Sequence, residues 1–182
     1  MTHKRRENPQ KTISKEWIAK ALFELMKEKP YKEITITEVS EKADLARRTF
    51  YRHFETLDDV LNYTMQTTFE QFAIFLSSQQ QQMDVPTYVR IFFEYWEQHK
   101  WFLQLLQKDN LLFMLLQRFM PAVRDNLHDD VTNIPNAEIL EYVFYFASGG
   151  LWNLLVKWLE DGTTLSPKEM ENIAENIIEH LR

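Results

Sequence analysis

Residues 34–54 read ITITEVSEKADLARRTFYRHF. Thr35-x-x-Glu38 is a capping-box pattern, so a helix starts near Ile36 and runs to about Ala43. Asp44-Leu45-Ala46 leaves room for a turn and no more, and a second short helix fits Arg47 to Phe54. Two helices of about eight residues joined by a tight turn make a helix-turn-helix, with Val39, Ala43, Leu45 and Phe50 as its small core. At about 100° per residue, Arg47, Arg48, Tyr51 and Arg52 fall within an arc of about 140°, and Phe50 points away from it. Three guanidinium groups and a phenol then face outward on a helix short enough for a major groove. The planar fork of Arg binds guanine O6 and N7, or a phosphate, in bidentate fashion. Tyr51 offers a ring edge and a hydroxyl, and Thr49 and His53 flank the arc, placed for phosphates or base edges. Thr37 either sits near the groove floor or satisfies the backbone at its helix start. An Arg-rich helix in a bundle that never meets DNA would carry the same residues. The clustering between two capped helices favours nucleic acid.

Outward from this stretch, helical periodicity dominates. Ile18, Leu22, Leu25 and Met26 mark one face of a helix from about Ser14 to Glu28, closed by Lys29-Pro30. Thr56-x-x-Asp59 caps a longer helix to about Ser77, and the Ser/Gln run 77–82 breaks the pattern. Asp84 with Pro86 behind it starts the next helix, to about His99. Short apolar helices follow at Trp101–Gln107 and Leu111–Leu127, the second with a kink or break expected at Pro121. Residues 128–136 read as a loop. Ala137–Glu160 is a long helix stopped by Asp161-Gly162, and Ser166-Pro167-x-Glu169 starts a last one. About nine helices and no strand give an all-α chain, with a helix-turn-helix head over 1–55 and a helical body over 56–182.

Charge follows the same division. Residues 1–55 hold 13 Lys and Arg against 9 Asp and Glu, whereas residues 56–182 hold 8 against 18. A basic head on an acidic body suggests that the head alone meets a polyanion. The absence of Cys excludes disulfides, thiolate metal sites and cysteine nucleophiles. Met1–Asn8 is basic and polar with no apolar run behind it, unlike a signal peptide. The longest uncharged apolar stretch, Val143–Val156, falls short of the about 20 residues of a spanning helix, so a cytoplasmic protein without a membrane contact is expected. No G-x-S-x-G, H-E-x-x-H or Gly-rich phosphate loop is present, which argues against an enzyme. His128-Asp129-Asp130 reads as a solvated acidic loop rather than a metal cluster. His99 and His180 sit near helix C-termini, where a cation is favoured. No cofactor or metal is expected.

The first 50 or so of these residues resemble the DNA-binding domain of the TetR/AcrR family of transcription regulators. The resemblance is carried by the long first helix Ile18–Glu28, the Thr-capped helix Thr35–Ala43 and the turn Ala43-Asp44-Leu45. It continues through Arg47–Phe54 with Phe50-Tyr51, and the Thr56-Leu57 entry to the fourth helix. Three positions depart from the pattern: Asp44 replaces Gly, Ala46 replaces a Ser cap and Leu57 replaces Lys. Asp44 tolerates positive φ better than most residues. The other two changes remove phosphate contacts, for which Arg47 and Arg48 compensate.

The resemblance implies a sequence-specific regulator of transcription, a repressor acting as a homodimer on double-stranded DNA and answering a small-molecule effector. It places a ligand cavity in the body, where Phe72, Phe92, Trp96, Trp101, Phe113 and Tyr145 are the candidates, and such rings suit an apolar effector. For any single one of these rings, plain core packing is the commoner explanation. SGGLWNLLVKWLEDG (148–162) resembles the dimerisation region of one subgroup, with Gly149, Gly150, Trp152, Asn153 and Val156 at the contact. Helical Gly costs about 1 kcal/mol relative to Ala, a cost that close helix approach explains, within the subunit or across a two-fold axis. The rival reading is a co-regulator that pairs with another regulator and does not touch DNA, which Ala46 and Leu57 favour.

Overall fold

The structure, a computed structural model, describes residues 9–79, 84–127 and 137–180, with side chains over 12–79, 84–119 and 139–180. The loop read at 128–136, and His128-Asp129-Asp130 within it, lie outside the described residues. Nine α-helices and no strand occur among the described residues: α1 (Pro9–Glu28), α2 (Ile36–Lys42), α3 (Arg47–Tyr51), α4 (Leu57–Ser77), α5 (Val85–Gln98), α6 (Lys100–Lys108), α7 (Leu112–Leu127), α8 (Ala137–Glu160) and α9 (Pro167–His180). A single 3-10 turn, Tyr31–Glu33, separates α1 from α2.

Side chains start the helices where the pattern expects them. The Thr35 hydroxyl accepts from Glu38 N–H (3.3 Å) and Thr35 N–H donates to the Glu38 carboxylate (2.9 Å), a complete capping box. Asp59 N–H donates to Thr56 Oγ1 (3.2 Å) while the Asp59 carboxylate accepts from Thr56 N–H (2.8 Å) and Glu55 N–H (3.0 Å). These bonds hold the Asp59 carboxyl below its ordinary pKa. Asp84 caps α5 through Thr87 N–H, and Ser166 with Glu169 closes a box on α9. Two expectations shift. The recognition segment is regular helix only over Arg47–Tyr51, and the bonds His53 N–H to Phe50 O and Phe54 N–H to Phe50 O carry it on as a turn. Helix α7 also runs through Pro121 without a break, because one missing N–H leaves the remaining ladder to carry it.

The chain divides into two compact units, Met1–Thr67 and Thr68–Arg182, with the division inside α4. In the first unit Ile18, Leu22, Met26, Val39, Phe50, Val60, Leu61 and Met65 are fully buried. Ala43 and Leu45, expected in that core, are only half-buried. In the second unit α5 packs along α9 and α7 along α8. Phe93 meets Trp158 at 5.4 Å, and Trp158 Nε1–H donates to Leu165 O (2.8 Å), pinning the α8–α9 loop. Glu171 on α9 is 7% exposed and is held by Arg90 of α5 (3.5 Å) and by Lys168.

Over Ile139–Glu160, α8 is long and apolar enough to span a membrane by length and composition, which the uncharged run 143–156 understates. Little of it is buried in this chain. Ile139, Tyr142, Tyr145 and Phe146 are 53–79% exposed.

Candidate nucleic-acid interface

The turn between α2 and α3 is set by a single backbone device. Asp44 holds φ +54°, its N–H bonds Glu41 O (3.0 Å), and Leu45 N–H bonds Ser40 O (2.9 Å). This is a Schellman motif, with Asp44 in the left-handed position that Gly usually fills. It ends α2 and redirects the chain into α3. Ala46 then precedes α3 with no side-chain cap bond. Lys29 and Lys42 fasten the pair to the end of α1: Lys29 Nζ donates to the Glu38 carboxylate (2.6 Å) and to Glu33 O (2.9 Å), and Lys42 pairs with Glu28 (3.0 Å).

Phe50 anchors α3 from below. It is fully buried, 6.0 Å from Phe54, and Phe54 lies 5.6 Å from Tyr63 of α4. With Phe50 fixed, helical geometry turns Arg47, Arg48, Tyr51 and Arg52 outward, and all four are exposed. The Arg47 guanidinium lies over the Tyr51 ring (6.0 Å) and donates to its hydroxyl (3.4 Å), a cation–π pair that pre-orients both groups. Thr49 and His53 are half-exposed at the edges of this arc. Thr37 is half-exposed in the first turn of α2, on a different element. Beside this surface the Tyr31 hydroxyl donates to Asp58 of α4, a link between the 3-10 turn and the start of α4. Burial first, and then Asp58, push that hydroxyl's pKa up.

The ring residues singled out in the body separate into two sets. Phe72, Phe92 and Trp96 are buried, and the Phe92 ring meets both others, with centroids 5.9 Å from Phe72 and 6.1 Å from Trp96. Trp101, Phe113 and Tyr145 are 45%, 64% and 60% exposed and lie on the surface of this chain. On α8, Gly150 and Asn153 are exposed, and Gly149, Trp152 and Val156 are half-exposed. A Cβ placed on Gly149 or Gly150 meets nothing within 4 Å, so no approach inside this chain requires either glycine. Ile139, Tyr142 and Phe146 extend the same exposed helix and were not singled out from the sequence. Their three- and four-residue spacing ahead of the glycines is the signal that marks them.

Residues 18–64 match the pattern of bacterial regulatory proteins, tetR family. Residues 84–180, more than half of the chain, match the pattern described as transcriptional regulator C-terminal region. No curated protein matches the chain. Among solved structures it is similar to the dihydroxyacetone kinase operon activator DhaS, at 16% identity and TM-score 0.62, over 93% of this chain and 94% of that one. It is also similar to the fatty acid degradation regulator FadR from Bacillus halodurans, at 16% identity and TM-score 0.64, over 95% and 96%. A tetR-family transcriptional regulator from Streptomyces coelicolor aligns at 17% identity and TM-score 0.54, over 86% and 76%. At these identities the likeness to solved structures concerns the fold.

Proposed function

Since the chain belongs to the TetR family of bacterial transcription regulators, we propose that it is a cytoplasmic homodimeric repressor that holds an operator through α3 and releases it on binding a small molecule. The observation that carries this reading is the arc over α3 and the turn that follows it: three Arg and one Tyr exposed around a fully buried Phe50. In this reading Arg47, Arg48 and Arg52 take guanine edges or phosphates, Tyr51 takes a thymine methyl or the backbone, and Thr37, Thr49 and His53 add further contacts. The basic balance of residues 1–55 supports the same surface.

Two copies fit a two-fold operator, whose half-sites lie about 34 Å apart. The exposed α8 face supports the pairing, with Gly149, Gly150, Trp152, Asn153 and Val156 joined by Tyr142 and Phe146. The effector enters among the buried rings of the second unit, and its signal passes along α4, whose residues belong to both units. Only a difference in affinity between the two arrangements drives that release.

Selection of genomic fragments by the purified protein, followed by anisotropy titration of the retained fragment, tests the reading. Arg47→Ala or Arg48→Ala is expected to weaken binding by about 1–3 kcal/mol where that residue reads a base. Parent-like affinity in both variants removes the assignment of α3. A reporter placed behind the retained fragment is expected to rise when the regulator is deleted, and a fall makes it an activator.

The uncapped start of α3 at Ala46 and the half-exposed Leu57 favour a second reading, a co-regulator that pairs with another regulator. Failure to retain any fragment, together with a stable hetero-complex, selects it.

A further inference from the structure

Two polar atoms deep in the second unit are left over by the packing of α5. Tyr88 is 4% exposed and Trp96 is 0% exposed, and neither the Tyr88 hydroxyl nor Trp96 Nε1 has a hydrogen-bond partner among the described residues. Their neighbour Tyr95 on the same helix is satisfied, its hydroxyl donating to Thr68 O at 2.6 Å. An unpaired buried donor is costly, and native chains keep such groups where something else completes them. Burial pushes the Tyr88 hydroxyl's pKa up, so the group stays a neutral donor. Trp96 Nε1 donates and cannot accept. An acceptor is the one partner that Trp96 Nε1 can take, and an acceptor also completes the Tyr88 O–H.

A continuous wall of rings joins the two donors. Phe72 lies 6.5 Å from Tyr88 and 5.9 Å from Phe92, and Phe92 lies 6.1 Å from Trp96 and 5.6 Å from Phe119. Eight residues of helix separate Tyr88 from Trp96, a rise of about 12 Å. Among the described residues of this unit Glu171 is the one charged residue that is buried as a whole, held by Arg90 and Lys168, and half-buried Asp109 hides one carboxylate oxygen. A charged ligand would have to draw its counter-charge from half-buried His99, 6.5 Å from Trp96 and already bonded through Nδ1 to Tyr95 O, so an uncharged one is favoured.

We propose that Tyr88 and Trp96 are the hydrogen-bond donors of the effector site, and that the effector is an uncharged, elongated, largely apolar molecule with an acceptor oxygen near each end. This rests on the ligand response proposed above and adds its chemistry. The rings pack against one another in the closed chain, so the ligand enters by parting them, as in a pocket opened from a minor conformer.

The test uses the full chain. Without ligand, Tyr88→Phe is expected to match or exceed the parent's melting temperature, because it deletes an unpaired group and keeps the ring. A clear fall means that a buried water or another group already satisfies the hydroxyl, which overturns the proposal. The ligand arm compares dimethyl suberate, a diester, with methyl decanoate, a monoester of equal length, and with the suberate dianion. The diester is expected to bind more tightly than the more apolar monoester, and the dianion not at all. Tyr88→Phe and Trp96→Phe are each expected to weaken the diester about three- to tenfold and to erase its preference over the monoester. Trp96→Phe also removes ring volume, so its lost preference, not its melting temperature, is the diagnostic. An equal or tighter monoester, binding of the dianion, indifference to both substitutions, or no binding by any probe overturns the proposal. Release of DNA by a compound whose action ignores both variants sinks this site and keeps the ligand response. Diester binding that depends on both donors but leaves DNA bound does the reverse.

Discussion

Asp44 places a sharp local demand on the turn between α2 and α3. At φ +54° it occupies the left-handed region, which costs an ordinary L-residue roughly 1–2 kcal/mol. Asp bears this better than most side chains, and Gly bears it best. Asp44→Gly is therefore expected to leave the unfolding free energy unchanged or raised by up to about 1 kcal/mol. Asp44→Val is expected to lower it by at least about 1 kcal/mol, as read by urea denaturation. A Val variant as stable as the Gly variant would remove the backbone argument for this turn. Glu38 makes a pH-dependent demand nearby. The Lys29 ammonium beside it, and then the Thr35 hydroxyl and N–H, hold its carboxyl down to about 2 from an ordinary 4.5. A carboxyl lowered on folding stabilises the chain above its unfolded pKa, and that contribution fades as pH falls from about 4.5 toward about 2. Glu38→Gln keeps the cap geometry and loses the charge. Its melting temperature is expected to lie below the parent's at pH 7, with the gap closing through that acid window. A gap that persists at pH 2 contradicts the assignment.

At the scale of the helix, the caps and the apolar stripes were readable in advance because both are local. Thr35, Thr56, Asp84 and Ser166 each sit three residues before the N–H they satisfy, and chain spacing alone specifies that. Thr35→Ala is expected to cost about 1 kcal/mol on the same denaturation curve, the usual loss of a cap. The 3-10 turn Tyr31–Glu33 carries no period, and its link from Tyr31 to Asp58 joins residues far apart in the chain, so neither was legible. The arc of α3 was legible because Phe50 fixes the rotation of a short helix. The contact of Arg47 with Tyr51 was not, since it depends on rotamers. Aromatic residues gave the least. Phe92 and Phe113 are alike in a sequence, yet one is fully buried and the other 64% exposed. Only the packing of distant helices decides between them. The apolar face of α8 has the same ambiguity, since a stripe reads alike whether its own core or a second copy covers it.

For the molecule as a whole, that face and the charge division make one combined expectation. Gly149 and Gly150 each weaken α8 by about 1 kcal/mol relative to Ala, and no atom of this chain needs the space they leave. Gly149→Ala is therefore expected to raise the stability of an isolated subunit by about 0.5–1 kcal/mol. Gly150→Leu is expected to leave helicity intact and weaken self-association at least about tenfold, measured by light scattering across a dilution series. A leucine variant that associates like the parent would return the glycines to a role within one chain. The same variant then reports on DNA. Residues 1–55 carry the excess of Lys and Arg, and a dimer presents Arg47, Arg48 and Arg52 twice, six guanidinium groups in all. If all of those guanidinium groups displaced counterions, the log–log dependence of affinity on salt would have a slope of about −5, at roughly −0.9 per phosphate. A subunit that cannot pair engages one half-site, so Gly150→Leu is expected to halve that slope as well as weaken binding. Affinity and slope both unchanged in a variant that no longer pairs would mean that one subunit does all the contacting, and that the two copies do not share one duplex.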